Sequence, residues 1–187
     1  MVLPGHLAGG YLTANAILAL APATAAFSPT QTLILLAIGT IFGDGPDIDL
    51  FIYNFNQKSS RPDADENGHR HYVTHTPIFW LGLSLLIVLG GWIAGSLFTQ
   101  FVGWMILGGS WTHLLLDSIE FGVRWLWPFS QRRFCLREVE EPVIDQQKGT
   151  LAYYRELIAK TAFRNVTFYA EIIITIVAIV VAYQQFF

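Results

Sequence analysis

Sulfur and charge are what this 187-residue chain has least of. Its one cysteine, Cys135, excludes an internal disulfide framework and a cysteine-ligated zinc site. Charged residues make up 13% of the chain, against about 25% in an average soluble domain. Hydrophobic residues make up 53%, and the mean hydropathy is +0.45. So few charges do not cover a water-facing surface, which argues against a soluble globular class. No nucleic-acid partner is expected, and no P-loop, GxSxG or HExxH motif is present. The opening "MVLPGHLAGGYLTANA" has no basic n-region, so a cleaved signal peptide is not expected and His6 should stay with the chain. There is no internal repeat and no low-complexity tract.

Long apolar runs are present instead. "IFWLGLSLLIVLGGWIAGSLF", residues 78–98, carries no charge over 21 positions, and "IIITIVAIVVAY" lies near the end of the chain. About 20 such residues span the hydrocarbon core of a bilayer as a helix. The expected fold is an all-α, polytopic membrane helix bundle with about five transmembrane segments: 7–27, 31–43, 78–98, 101–116 and 166–183. "SPT" at 28–30 reads as a turn and N-cap, and Thr76-Pro77 as a cap followed by a first helical proline. The chain reads as one domain over 1–187. It has a motif-bearing core over 1–130, a polar loop over 131–165 and a terminal membrane helix over 166–187. Within that loop, "TLAYYRELIAKTAFRN" has the pattern of an amphipathic helix lying on a membrane surface.

The cations are distributed unevenly. Lys58, Arg61 and Arg70 lie between segments two and three. Arg124, Arg132, Arg133, Arg137, Lys148, Arg155, Lys160 and Arg164 lie between four and five, which accounts for all 11 Lys and Arg. The opposite connections, around Ser28 and Thr99, have none. The positive-inside rule then places the N-terminus and both polar regions in the cytoplasm, as in a bacterial-type inner membrane protein.

That topology gathers every histidine at one membrane face. His6 starts segment one; Asp44, Asp47 and Asp49 ("GDGPDIDL") follow segment two. His69, His71 and His75 ("GHRHYVTH") precede segment three, and His113 with Asp117 ("HLLLD") ends segment four. His113 and Asp117 share a helix face and can grip one cation; alone, the pair reads equally as a polar helix end. The three aspartates stand at the negative end of a helix dipole and raise one another's pKa, two penalties that a bound cation reverses. Alone, they read more simply as a solvated turn at Gly45-Pro46. Three histidines in seven positions beside carboxylates tilt toward metal, with His69 and His71 as alternatives for one position. Arg70 between them can clamp an anion such as phosphate, or pair with Asp63, Asp65 or Glu66. Nitrogen and oxygen donors without sulfur suit a divalent metal such as Zn²⁺, with Mn²⁺ or Fe²⁺ as alternatives, in one or two ions. Glu171 reads as a residue that snorkels to the surface, pairs with Arg164 or touches this cluster. Trp125 and Trp127 read as an interfacial aromatic belt.

The order N-terminal His, "PDID", "HR…TH", "HLLLD" resembles the YdjM-like family of membrane-bound metal-dependent hydrolases. More distantly it is similar to zinc-dependent phospholipase C and P1-type nucleases. The resemblance covers roughly residues 4–128, ending in the "WPFS" stretch (127–130) that follows the last motif. It implies His6, Asp47, Asp49, His75, His113 and Asp117 as ligands, with His69 or His71 at the head of "HR…TH". Leu50 stands where the family usually has a further histidine, and "HRHYVTH" is one residue longer than the usual spacing. The expected activity is hydrolysis of a phosphoester, or an ester, of a lipid or lipid-linked substrate by metal-activated water, with Asp44 or a metal-bound Asp as general base and Arg70 stabilising the anion. The alternative is a non-catalytic membrane scaffold with a structural metal, docking a partner protein through residues 124–164.

Overall fold

A computed structural model describes residues 3–22, 25–49, 72–137 and 166–187, with 155 and 159 as isolated positions. His69, Arg70 and His71 lie outside the described residues, as does nearly all of the expected amphipathic helix. Among the described residues, five helices carry the fold: α1 (Leu3–Ala19), α2 (Pro29–Phe42), α3 (Pro77–Ile93), α4 (Leu97–Glu120) and α5 (Val166–Phe186). Single 3-10 turns at Gly45–Asp47 and Val73–His75 follow α2 and precede α3. The described residues contain no strand, and one isolated antiparallel bridge joins Val123 and Phe134. The all-helical class expected from the sequence is what the structure has.

Local chemistry sets the helix ends. At α2, the Ser28 Oγ accepts from Gln31 N at 3.2 Å and the Gln31 Oε1 accepts from Ser28 N at 2.9 Å, a reciprocal capping box. Pro77 opens α3 and Thr76 stands at its N-cap with extended backbone, both as expected, but the Thr76 hydroxyl makes no capping bond and donates instead to Val73 O at 2.6 Å. α1 stops at Ala19 and does not run to residue 27, because Pro22 has no N–H to donate and disfavours helix before it. The continuous run expected over 78–98 is broken near its end. Gly95 takes φ +64, Ser96 N donates to Gly91 O at 2.8 Å, and the Ser96 Oγ caps α4 through Thr99 N. One long segment and its neighbour are thus a tight helical hairpin.

α5 is, among the described residues, the one helix both long and apolar enough to cross a bilayer alone; α2 and α3 are apolar but shorter, at 14 and 17 residues. Their outward faces are nevertheless apolar. Leu85, Leu86, Leu89, Trp92 and Ile93 on α3 are exposed, as are Ile172, Ile173, Ile176 and Ile179 on α5. So large an unpaired apolar surface marks an interaction with something other than water.

α4 packs against each of the other four helices. Where α2 crosses α1 and α4 the contact is backbone on backbone. A Cβ on Gly10 would lie 2.4 Å from Gly39 O, one on Gly109 2.5 Å from the same oxygen, and one on Gly43 2.4 Å from His6 O. Larger side chains would hold these helices apart. On one side of this seam lies a core of Ala14, Leu35, Leu36, Phe101 and Met105. On the other side the polar groups converge.

Candidate metal centre

Each element delivers its side chain to the same end of the bundle. α1 brings His6 in its first turn, the 3-10 turn after α2 brings Asp47, and the turn before α3 brings His75. α4 presents His113 and Asp117 one turn apart near its C-terminal end. His6, His75, His113, Asp117 and Asp49 are all buried, and Asp47 keeps 23% of its side chain exposed. The His6 and His113 rings stack at 3.8 Å, a separation that the glycine seam one turn away permits.

Two hydrogen bonds aim the imidazoles. His113 Nδ1 donates to Gly43 O at 3.0 Å, since a carbonyl can only accept, and this leaves Nε2 facing the cluster. His75 Nδ1 donates to Asp49 Oδ2 at 2.9 Å, and Thr74 Oγ1 donates to the same oxygen at 2.8 Å. Around the centre, His75 Nε2 lies 3.3 Å from Asp117 Oδ2 and 3.9 Å from Asp47 Oδ1. His113 Nε2 lies 3.5 Å from Asp47 Oδ1 and 3.8 Å from Asp117 Oδ2, and His6 Nε2 lies 3.5 Å from Asp117 Oδ1.

Most of these separations are long for hydrogen bonds. The three shortest, at 3.3, 3.5 and 3.5 Å, match the edge of a tetrahedron of nitrogen and oxygen ligands around a metal, about 3.3–3.6 Å from metal–ligand bonds of about 2.0–2.2 Å. Three sets have ligand atoms within 4.8 Å of one another: His6, Asp47 and His113; His75, His113 and Asp117; Asp47, Asp49 and His75. His113 Nε2, buried, has no hydrogen-bond partner among the described residues although carboxylate oxygens face it. With Nδ1 carrying the proton, Nε2 offers a lone pair to those oxygens, an arrangement that needs a cation or an added proton between them. The residues therefore fit a divalent metal.

The same geometry shifts two groups beside the helices. Burial alone pulls the His75 imidazole down, but its hydrogen bonds to Asp117 and Asp49 and the charge on both outweigh this and lift it to about 9. Burial raises the Asp44 carboxyl to about 6, with the charge of Asp47 adding to the effect. Asp44 is in none of the three ligand sets, and its Oδ1 is buried without a hydrogen-bond partner among the described residues.

Six residues singled out in the sequence, His6, Asp47, Asp49, His75, His113 and Asp117, thus meet, and Asp44 lies beside them. His69, His71 and Arg70 lie outside the described residues. Glu171 does not reach the surface. It is buried against α1, where Gly5 leaves room for its methylenes beside His6. Trp125 is half-buried, its Nε1 donating to Ser118 Oγ at 2.8 Å, so it braces the end of α4.

Supports that the motifs do not reveal surround the centre. Trp80 Nε1 donates to Thr74 O at 2.6 Å and Arg124 Nη2 to Tyr72 O at 3.3 Å, fixing the turn that carries His75. Glu120 accepts from Val166 N and from Thr167 N and Oγ1, tying the end of α4 to the start of α5. The glycine seam did leave a signal: His6-xxx-Gly10, Gly39-xxx-Gly43 and Gly109-xxx-His113 each put a glycine one turn from a neighbour in the site.

A family model described as YdjM inner membrane protein matches residues 1–186. The chain belongs to that family. Among YdjM relatives, the chain is similar to the inner membrane protein YbcI of Escherichia coli (strain K12), at 35% identity over 106 residues. That match covers 54% of this chain and 57% of YbcI, so the chain spans little more than half the length of this relative. No solved structure matches the chain.

Proposed function

We propose that this YdjM-family protein is an integral-membrane, metal-dependent hydrolase acting on a phosphoester, or less favourably an ester, of a membrane lipid. The observation that carries the reading is the buried Nε2 of His113, set among carboxylate oxygens and without a hydrogen-bond partner among the described residues. In this reading all five helices cross or enter the membrane, with the N-terminus and the metal site facing the cytoplasm. Arg124, Arg132, Arg133 and Arg137 follow α4 at the site end, whereas the connections over 20–28 and 94–96 carry no Lys or Arg, and this supports the orientation.

His6, Asp47, His75, His113 and Asp117 would hold the ion, with Zn²⁺ favoured by donor type and Mn²⁺ or Fe²⁺ accommodated by the same set. Bound there, a divalent cation supplies Lewis-acid activation of water and polarisation of a phosphoryl or carbonyl oxygen. Asp49 and the Gly43 carbonyl hold the His75 and His113 rings in orientation. Asp44, lifted to about 6, is ionised at neutral pH yet basic enough to accept a proton as general base. Asp47, the most exposed of the five, faces the side from which substrate and water would arrive. Arg70 would stabilise the phosphoryl charge.

One observation favours a second reading. Four of the five ligands are almost wholly buried, as in closed structural metal sites. The protein would then be a scaffold stapled by its metal, docking a partner through residues 124–164. Hydrolysis assays on a panel of phospholipids in mixed micelles, with metal-loaded wild type and Asp44→Asn, separate the two. Turnover by the wild type that falls at least about 100-fold in the variant is the expected result for a general base. Stoichiometric metal with no turnover of any lipid would support the scaffold.

A further inference from the structure

The seam between α1 and α4 does not end at the metal centre. Beyond it, away from the site, the two helices flank a groove of about 480 Å³ lined by Thr13, Ile17, Leu20, Phe101, Trp104 and Gly108, among others. Thr13 is seven residues and Leu20 fourteen beyond His6, so the groove spans depths of about 10–21 Å along α1 from the ligand. The half-thickness of a bilayer's hydrocarbon core, about 15 Å, falls within that interval. A lipid whose head group lies at the metal centre thus has the far part of one chain at the level of the groove.

The wall is apolar by construction. The Thr13 and Thr112 hydroxyls bond each other at 2.7 Å, and Thr112 Oγ1 donates on to Gly108 O at 2.8 Å, so neither hydroxyl asks anything of an occupant. Gly108 keeps the floor low. A Cβ there would lie 2.6 Å from Ile17 Cδ1 and 2.9 Å from Thr13 Cγ2. The volume falls within the range of small-ligand sites, about 300–1,000 Å³.

We infer, resting on the reading of the metal centre as a lipid hydrolase, that this groove holds one long acyl chain of a phospholipid substrate. The groove makes long-chain phospholipids the substrate class. Short-chain, water-soluble analogues leave it empty and forfeit up to about fourfold in affinity for each missing methylene that the groove would have covered.

The test uses the full-length protein in liposomes of phosphatidylethanolamine and phosphatidylglycerol. A trace of the phosphatidylglycerol carries a photoreactive diazirine near the methyl end of its palmitoyl chain. Labelled peptides are mapped by mass spectrometry. The expected label is concentrated over residues 11–22 and 101–111, well above that on the exposed Ile173, Ile176 and Ile179 of α5. Gly108→Leu, which displaces several methylenes at about fourfold each, reduces the groove label at least about tenfold and leaves the α5 label unchanged. Leu20→Trp, at a lining residue that is 85% exposed and so outside the packed helix contact, gives the same result if Gly108→Leu misfolds. Label that follows exposure alone, equal on α5 and indifferent to both substitutions, means annular lipid only and overturns the proposal. Turnover is not read here. Groove labelling without hydrolysis in the separate assay defeats only the enzymatic reading, and hydrolysis with uniform labelling defeats only the groove.

Discussion

Gly109→Ala adds one methyl group where three backbones meet. Its Cβ would lie 2.5 Å from Gly39 O and 2.9 Å from both Gly43 N and Phe42 C, all main-chain atoms with no rotamer to yield. Relief requires α4 and α2 to part by several tenths of an ångström. Overpacking of this kind costs about 1–3 kcal/mol, and the gain in helix propensity from Gly to Ala returns about 1 kcal/mol. A net loss of up to about 2 kcal/mol is expected. Gly82→Ala on α3 is the control: a Cβ there meets nothing within 4 Å, so only the propensity gain remains. The seam also sets the His113 Nδ1–Gly43 O bond, so Gly109→Ala should weaken metal binding by about 10–100-fold, as loss of an orienting hydrogen bond does. Thermal unfolding in detergent, with and without metal, reads the first effect, and competition with a chromogenic chelator reads the second. If Gly109→Ala matched Gly82→Ala in both assays, backbone contact at the seam would not position the site.

Asp49→Asn removes the charge that His75 Nδ1 and Thr74 Oγ1 both donate to, and metal affinity should fall about 10–100-fold while the helical circular dichroism signal is kept. In the metal-free protein the folded-state pKa of His75, about 9, exceeds its unfolded value of 6.5. Its contribution to stability is therefore complete below about pH 6.5 and lost as pH rises through 9, so the metal-free protein should melt at a lower temperature at pH 9 than at pH 6. His75→Gln should flatten that difference, and a wild-type melting temperature that rises with pH would refute the pairing. Glu120→Ala leaves Val166 N and Thr167 N without their carboxylate; amide exchange at the start of α5 should accelerate by about 10-fold or more while the exchange of α4 stays slow.

Where the chemistry is local, the sequence was legible. Ser28 with Gln31 and Pro29 builds a cap from neighbours alone, and Pro77 opens α3 for the same reason. The all-helical class followed from apolar runs. Their boundaries did not, because hydropathy barely registers a positive-φ glycine such as Gly95 or a capping serine such as Ser96 inside an apolar stretch. Length is no better guide to membrane crossings when one helix of 21 residues stands beside apolar helices of 14 and 17.

The cluster itself was legible because imidazoles and carboxylates are rare in an apolar chain and fell at one end of each of the first four segments. Its internal order was not. That Asp49 bonds His75 through one oxygen, or that His113 is turned by a carbonyl on α2, depends on contacts between residues 26 and 70 positions apart. The glycines were overlooked for the same reason: close approach of backbones is a tertiary fact, visible only as a one-turn spacing from the ligands. The sequence left Glu171 between the surface, Arg164 and the cluster because the space beside Gly5 that receives it, next to His6, belongs to another helix; Arg164 lies outside the described residues.

The most direct test of the central claim is the divalent metal content per chain of protein purified without chelator or affinity metal, measured by inductively coupled plasma mass spectrometry. His113→Ala and the more conservative His113→Gln are measured beside the wild type, with circular dichroism confirming that each remains helical. The account predicts one or two ions per wild-type chain and the loss of at least one in both variants. A wild-type protein that holds no ion even after reloading, or variants that hold as much as the wild type, would contradict it.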